Sequence, residues 1–210
     1  MYSLPQFKEK DPEVIKAFMR QNSFAMLIGS MNGIPVATQV PLLIEEREGK
    51  FFLLGHVMRN TDHHKALESN SNVLCVFTGS HTYVSASWYT APQNASTWNY
   101  MSVHARGQVQ FVGQGELLSI LERTTRHYEN NDESPASYHN LPEDYVQRLS
   151  QAIVGFEIEV TAIDHVFKLS QNRDQRSYEN IIGELDKGDA EAKGIADEMK
   201  QRQHSLFKHS

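Results

Sequence analysis

Phe24-Ala25-Met26-Leu27-Ile28-Gly29-Ser30 is followed by Met31-Asn32-Gly33 and then by Ile34-Pro35-Val36-Ala37-Thr38-Gln39-Val40-Pro41-Leu42-Leu43-Ile44. Two β-prone runs joined by an Asn-Gly pair that tolerates positive φ predict a β-hairpin. A second turn follows at Glu45 to Lys50, charged and containing Gly49, and Phe51 to Val57 resumes a strand. The spacing therefore predicts a three-stranded meander.

Working outward, Asp11 as N-cap, Pro12 at the first helical position, Glu13 in the first turn and Val14, Ile15, Phe18 and Met19 on one face predict a helix ending near Asn22. Downstream, Thr61 caps a short helix that has Asp62 in its first turn and runs to about Glu68. Strands are predicted at Asn72 to Thr78, prolonged by Ser80 to Val84, and at Trp98 to Val112. Between them, Ser85 to Thr97 lacks periodicity and reads as a functional loop. Gly115 to Asn130 reads as a helix burying Leu117, Leu118, Leu121 and Thr125, and a second helix follows from about Pro142 to Gln151. In the last long strand, Ile153 to Val166, Val154, Phe156, Ile158, Val160 and Ala162 alternate with Glu157, Glu159 and Thr161. The charged tail from Arg173 to Gln201 is helical in pattern, weakened by Gly183, Gly188 and Gly194. Six or more antiparallel strands with helices between and after them predict an α+β chain built on an antiparallel β-barrel, and argue against a parallel sheet. The expected division is a barrel domain over residues 1–170 and a helical appendage over 171–210, packed on the same domain.

The chain of 210 residues, 40% hydrophobic and 22% charged, has ordinary globular usage. No apolar stretch in Met1 to Lys10 suits a signal peptide, and no window approaches the ~20 apolar residues of a membrane span. A single cysteine, Cys75, within the apolar run Val73 to Phe77, reads as a buried hydrophobe and is compatible with a reducing compartment, so the cytoplasm is the expected location. The formal net charge is −6 and the 20 Lys and Arg are scattered. Proteins that hold DNA by its phosphates carry a basic face, so tight direct DNA binding is not expected.

Two constellations carry chemistry. Arg59, Asn60 and Lys65 bracket a strand-to-helix junction, where free N–H groups, the helix dipole and two cations suit a phosphate. A capped surface helix with solvated charges is the commoner meaning of such residues. Aromatic rings, hydroxyls and an amide interleave over Gly79 to Tyr89 and Thr97 to His104, and could clasp a flat heteroaromatic ring, although such stripes more often form core. His81 and His104 are the best acid–base candidates, each more often structural. Adjacent His63 and His64, with His56, lack the spacing of metal ligands.

At this point the chain resembles the PaiB family of FMN-binding negative transcriptional regulators. The resemblance rests on Ala37-Thr38-Gln39-Val40-Pro41-Leu42-Leu43, Gly55-His56-Val57 with Arg59-Asn60, Tyr83-Val84-Ser85 with Ser87-Trp88-Tyr89, Thr97-Trp98-Asn99-Tyr100 with Val103-His104, Leu141 to Tyr145, Ile153 to Ile158, and Phe167-Lys168-Leu169-Ser170-Gln171-Asn172-Arg173. It implies an FMN-binding split barrel related to pyridoxamine-phosphate oxidases and flavin reductases, a homodimer with FMN at its interface, and a regulatory role. A flavin-dependent oxidoreductase is the alternative. The chain departs from the family pattern at Thr61-Asp62-His63-His64, where Pro and an aromatic are common, and at Gln39, where His is common. Taken with the physical reading, the resemblance implies a phosphate near Arg59, Asn60 and Lys65, and a ring near Thr38, Gln39, Val40, Trp88, Trp98, Asn99 and His104. Trp98, at a strand start, is expected to serve both flavin and fold, worth ~3–5 kcal/mol if buried.

Overall fold

The computed structural model describes residues 4–91 and 93–207. Pro92 of the Ser85 to Thr97 loop, residues 1–3 of the amino-terminal segment and residues 208–210 lie outside the described residues. In chain order the elements are α1 (Pro12–Gln21), β1 (Phe24–Met31), β2 (Ile34–Pro41), β3 (Leu43–Arg47), β4 (Lys50–Met58), α2 (Asp62–Ser69), β5 (Asn72–Val84), β6 (Thr97–Phe111), α3 (Gln114–Glu129), α4 (Glu143–Ser150), β7 (Ile153–Lys168), α5 (Gln175–Leu185) and α6 (Ala190–Leu206). The seven strands run in the order β2-β1-β5-β6-β7-β4-β3. The α+β antiparallel architecture read from the sequence is present, but the sheet has two free edges, β2 and β3, and does not close.

Two compact units emerge, one of Met19–Phe77 with His104–Ile163, the other of Met1–Phe18, Thr78–Val103 and Asp164–Ser210. In the first, β1 and β2 form the hairpin that Asn32-Gly33 predicts, with Met31 opposite Ile34 and φ of 53° and 78° at the two turn residues. These paired positive values match the twist of the flanking strands. Glu48-Gly49 repeats the device, with φ of 53° and 76°, so the turn is two residues long and Glu45 to Arg47 belong to β3.

The meander does not form. Pro41 has no N–H with which to extend the ladder, and β2 stops there. The next residue, Leu42, is buried and donates its N–H to Ser23 O at 2.9 Å. β3 then pairs only with β4, whose other side pairs with β7 in the register Gly55 opposite Phe156 and Val57 opposite Val154. Thus β2 and β4, successive strands in the expected meander, face each other across an unpaired seam. Gly55 makes their approach possible: a Cβ there would lie 2.9 Å from Phe156 Cζ and 3.2 Å from Pro41 O.

The core of this unit gathers Leu27, Leu53, Cys75, Phe77, Ile120, Phe156 and Ile158, all fully buried. On α3, Leu117 and Ile120 are the buried residues, so the deepest face is turned by about one residue from the one expected. Along β7 the alternation holds for Val154, Phe156 and Ile158, while Val160 is only half-buried and Ala162 is exposed.

In the second unit, the C-terminal helices α5 and α6 pack together around Tyr178, Ile181, Ile195 and Met199, each fully buried. Gly194 lets α6 lie on β5, since a Cβ would fall 2.5 Å from Ser80 Oγ. The Lys168 to Arg173 string is a knot of internal bonds. Lys168 Nζ donates to Thr97 Oγ1 and Trp98 O, Ser170 Oγ to Asn99 Oδ1, Gln171 Nε2 to Phe167 O, and Arg173 Nη1 to Asn94 Oδ1. Among the described residues, no helix is long and apolar enough to cross a membrane.

Candidate functional site

The seam between β2 and β4 is a cleft of about 380 Å³. Its walls are Ala37 to Pro41 on β2, His56, Val57 and Met58 on β4, Thr61, Asp62 and His63 at the start of α2, and Ile153. The volume is within the usual range for small-molecule sites, and the mixture of apolar wall and few polar groups is typical of them. Larger space exists in the other unit beside the amino-terminal segment and α6, about 610 Å³, but there Lys8 Nζ is bonded to His165 O and Arg202 is paired with Glu9 and Glu198.

The start of α2 is built as its sequence predicts. Thr61 Oγ1 accepts from His64 N, and Asp62 Oδ1 accepts from His63 N at 2.8 Å. Asn60, at φ 65°, donates its own N–H to His64 Nδ1. Three N–H groups at this junction, those of Asn60, His63 and His64, are therefore already occupied by the protein's own atoms. The His64 Nδ1 acceptor leaves the proton on Nε2, which faces Glu68 Oε1 at 3.7 Å.

His63 is 3% exposed, and among the described residues neither ring nitrogen has a hydrogen-bond partner. Such groups cost free energy and are rare in folded proteins. Burial lowers the pKa of His63, the nearby Asp62 carboxylate opposing this, and burial alone lowers that of His56. Both shifts favour the neutral form of the ring. The cleft lining holds no lysine or arginine and one carboxylate.

Of the residues singled out in the sequence, Thr38, Gln39 and Val40 line the cleft. Arg59 is fixed just outside it. Its Nε donates to Gln151 O and its Nη2 to Ile153 O, which holds the start of β7 against the cleft. Asn60 forms the left-handed turn before α2, and Lys65 is exposed one turn on, its ammonium bonded to none of the described residues. His104 belongs to the same unit, half-buried on β6.

Trp88, Trp98 and Asn99 belong to the other unit. Asn99 is fully buried, accepting from Ser170 Oγ and donating to Met199 Sδ. Trp98 is 53% exposed and stacks on His81, with Tyr83 at its edge. The carbonyl of Trp88 accepts from Asn180 Nδ2. His81 is exposed beside Glu191. Among the described residues, no group of three or more His, Cys, Asp or Glu could hold a metal.

The sequence reading weighs His63 only as a metal ligand, with His64 and His56, and not as a wall of a ligand cleft. With Ala66 and Leu67, His63 occupies positions i, i+3 and i+4 of α2, the spacing of a buried face, and that signal was available.

Residues 1–162 match the family model described as "Putative FMN-binding domain". Protease synthase and sporulation protein PAI 2 of Bacillus subtilis (strain 168) is 32% identical over 203 residues, covering 96% of this chain and 98% of that protein. The chain belongs to the PaiB family of FMN-binding proteins. Among solved structures, the flavocytochrome Anf3 from Azotobacter vinelandii superposes with a TM-score of 0.52 at 17% identity, covering 76% of this chain and 68% of that one. The FAD and heme binding protein from Mycobacterium smegmatis gives 0.50 at 15% identity, covering 76% and 72%. These likenesses concern the fold. FMN is the cofactor of this PaiB-family chain. The seam cleft suits part of such a group: apolar walls, two hydroxyls, an amide, and a buried imidazole with donor and acceptor both unused.

Proposed function

We propose that the chain is an FMN-binding regulatory protein of the PaiB type, a cytoplasmic homodimer on a split-barrel scaffold, with its cofactor in the seam cleft. The observation that carries this reading is the convergence of Thr38, Gln39 and Val40 with an unsatisfied buried imidazole on one cleft of a PaiB-family chain. The regulatory part draws on the sporulation role in the name of the B. subtilis relative.

A second copy would meet the free β2 edge and the apolar side chains beside it, where Phe24 is 62%, Ile34 67% and Met26 39% exposed. Free strand edges and exposed apolar patches of this kind favour association, and a partner could supply the aromatic residues of the other unit to the ring. Lys65, whose ammonium is bonded to none of the described residues, would carry the phosphate charge, Asn60 would shape the turn beside it, and Arg59 would brace Ile153. The net charge of −6 speaks for regulation without tight direct DNA contact. So does the separation of α3 from α4 by Asn130 to Pro142, too long for a helix-turn-helix.

The alternative is a flavin-dependent oxidoreductase, favoured by the likeness of the fold to a flavocytochrome. Bound FMN would then supply the electron transfer, and the protein its orientation.

The test is an absorption spectrum after loading with excess FMN and desalting on a sizing column. Flavin bands at about one per subunit on a dimer are the expected result, and a colourless protein overturns the cofactor site. Lys65→Ala should weaken FMN and leave riboflavin, which lacks the phosphate, unchanged. NAD(P)H oxidation by the loaded dimer would favour the oxidoreductase.

A further inference from the structure

We infer that His63 is a binding residue for the uncharged, hydrogen-bonding portion of the ligand in the seam cleft, and that this cleft excludes the phosphate. The inference rests on the flavin site proposed above and deepens it. A neutral imidazole offers one N–H donor and one acceptor. In His63 both are buried, and both lack partners among the described residues, while the residue lines the cleft. Its neighbour His64, on the same turn, has its Nδ1 engaged. The difference is not one of residue type but of position: His64 closes the helix cap and His63 forms the cleft wall.

The chemistry of the surroundings decides which part of a flavin belongs there. A phosphate dianion would meet the Asp62 carboxylate and no cation in the described lining, and the N–H groups of His63 and His64 are already held by Asp62 and Thr61. Arg59, four residues before His63, spends its guanidinium on Gln151 O and Ile153 O, and Lys65, two residues after His63, is not part of the cleft lining. An uncharged group carrying donor and acceptor together, such as the imide edge of the ring or the hydroxyls of the ribityl chain, satisfies His63 without repulsion. The hydroxyls of Thr38 and Thr61 and the Gln39 amide extend the same chemistry along the cleft.

The orphaned ring gives this inference a test with two readouts of opposite sign. In the full chain, His63→Leu removes an unsatisfied buried polar group, so the flavin-free protein should melt at the same temperature or higher. The same substitution should weaken FMN and riboflavin by the same factor, about tenfold or more, as for loss of a buried hydrogen bond. His63→Asn, which keeps a donor and an acceptor, should lose less than His63→Leu. Affinities follow from quenching of flavin fluorescence during titration.

A His63→Leu protein that keeps wild-type affinity for both flavins overturns the inference and leaves His63 a packing residue. Loss of FMN affinity alone would place the phosphate at His63 and overturn it equally. A wild-type protein that binds neither flavin fails the proposed cofactor site itself, an outcome distinct from either.

Discussion

Gly55→Ala tests the geometry on which the cleft depends. Gly55 does not have a positive φ, so alanine is conformationally allowed and the effect is steric. The added methyl would lie 2.9 Å from Phe156 Cζ, 3.1 Å from Leu42 Cδ2 and 3.2 Å from Pro41 O. Phe156 is fully buried, Leu42 is 2% exposed and Pro41 O is backbone, so none of the three can swing into solvent. Overpacking a tight core costs about 1–3 kcal/mol. The smaller conformational freedom of unfolded alanine returns about 0.5–1 kcal/mol. The balance spans about 0–2.5 kcal/mol of loss, and the three buried contacts place the expected value near its middle, about 1 kcal/mol or roughly 2–4 °C in melting temperature for a chain of this size. Because the relief of that clash pushes Pro41 and the rest of β2 away from β4, flavin retention should fall as well. Scanning calorimetry of the flavin-free protein, with FMN titration beside it, measures both. A melting temperature equal to or above wild type would refute the reasoning, since it would mean that the seam has room for a methyl group.

The same rule of space predicts the opposite sign at Gly183, which is exposed within α5 with nothing within 4 Å of its Cβ position. Gly183→Ala should raise stability by about 0.5–1 kcal/mol, seen as a higher melting temperature. Trp98→Ala should cost only about 1 kcal/mol, its contacts with His81 and Tyr83, and not the larger loss expected for a buried ring, because Trp98 is half exposed; urea unfolding checks it. Burial lowers the pKa of His56, His63 and His165 in the folded state, His165 also feeling Lys8. As pH falls below about 6.5, the unfolded chain takes up protons first. The stability held above that pH should therefore decline towards pH 5, and His63→Leu should flatten the decline in a series of melts.

What the sequence made legible was chemistry that acts within a few residues. Asn32-Gly33 needs no distant partner to turn the chain, and Thr61 caps α2 with the N–H of a residue three positions on. The destination of β3 was not legible, because Pro41 marks where β2 ends without saying where the chain goes next. Only long-range pairing of β4 with β7 decides that, and the expected meander gave way to it. The open sheet has the same origin: the apolar alternation of each strand was readable, whereas closure depends on whether the end strands find each other. Likewise, the density of cations around α2 suggested a phosphate. Whether Arg59 was free depended on the carbonyls of Gln151 and Ile153, far away in sequence.

The strings that carry the family resemblance divide by what their side chains do. Lys168, Ser170, Gln171 and Arg173 are each bonded within their own unit, as is Asn99, and burial, reinforced by Arg173, lowers the pKa of Lys168. Their bonds hold strand ends and loops together, a role that requires no contact with flavin. The departure at Thr61-Asp62-His63-His64 behaves differently. There the chain spends two residues on capping the helix and a third on the cap's reciprocal bond, and leaves the ring of His63 buried with no hydrogen-bond partner among the described residues. The buried polar side chains without a partner among the described residues include those of His63 and Tyr89, and of these two it is His63 that lines the cleft and points to a ligand there.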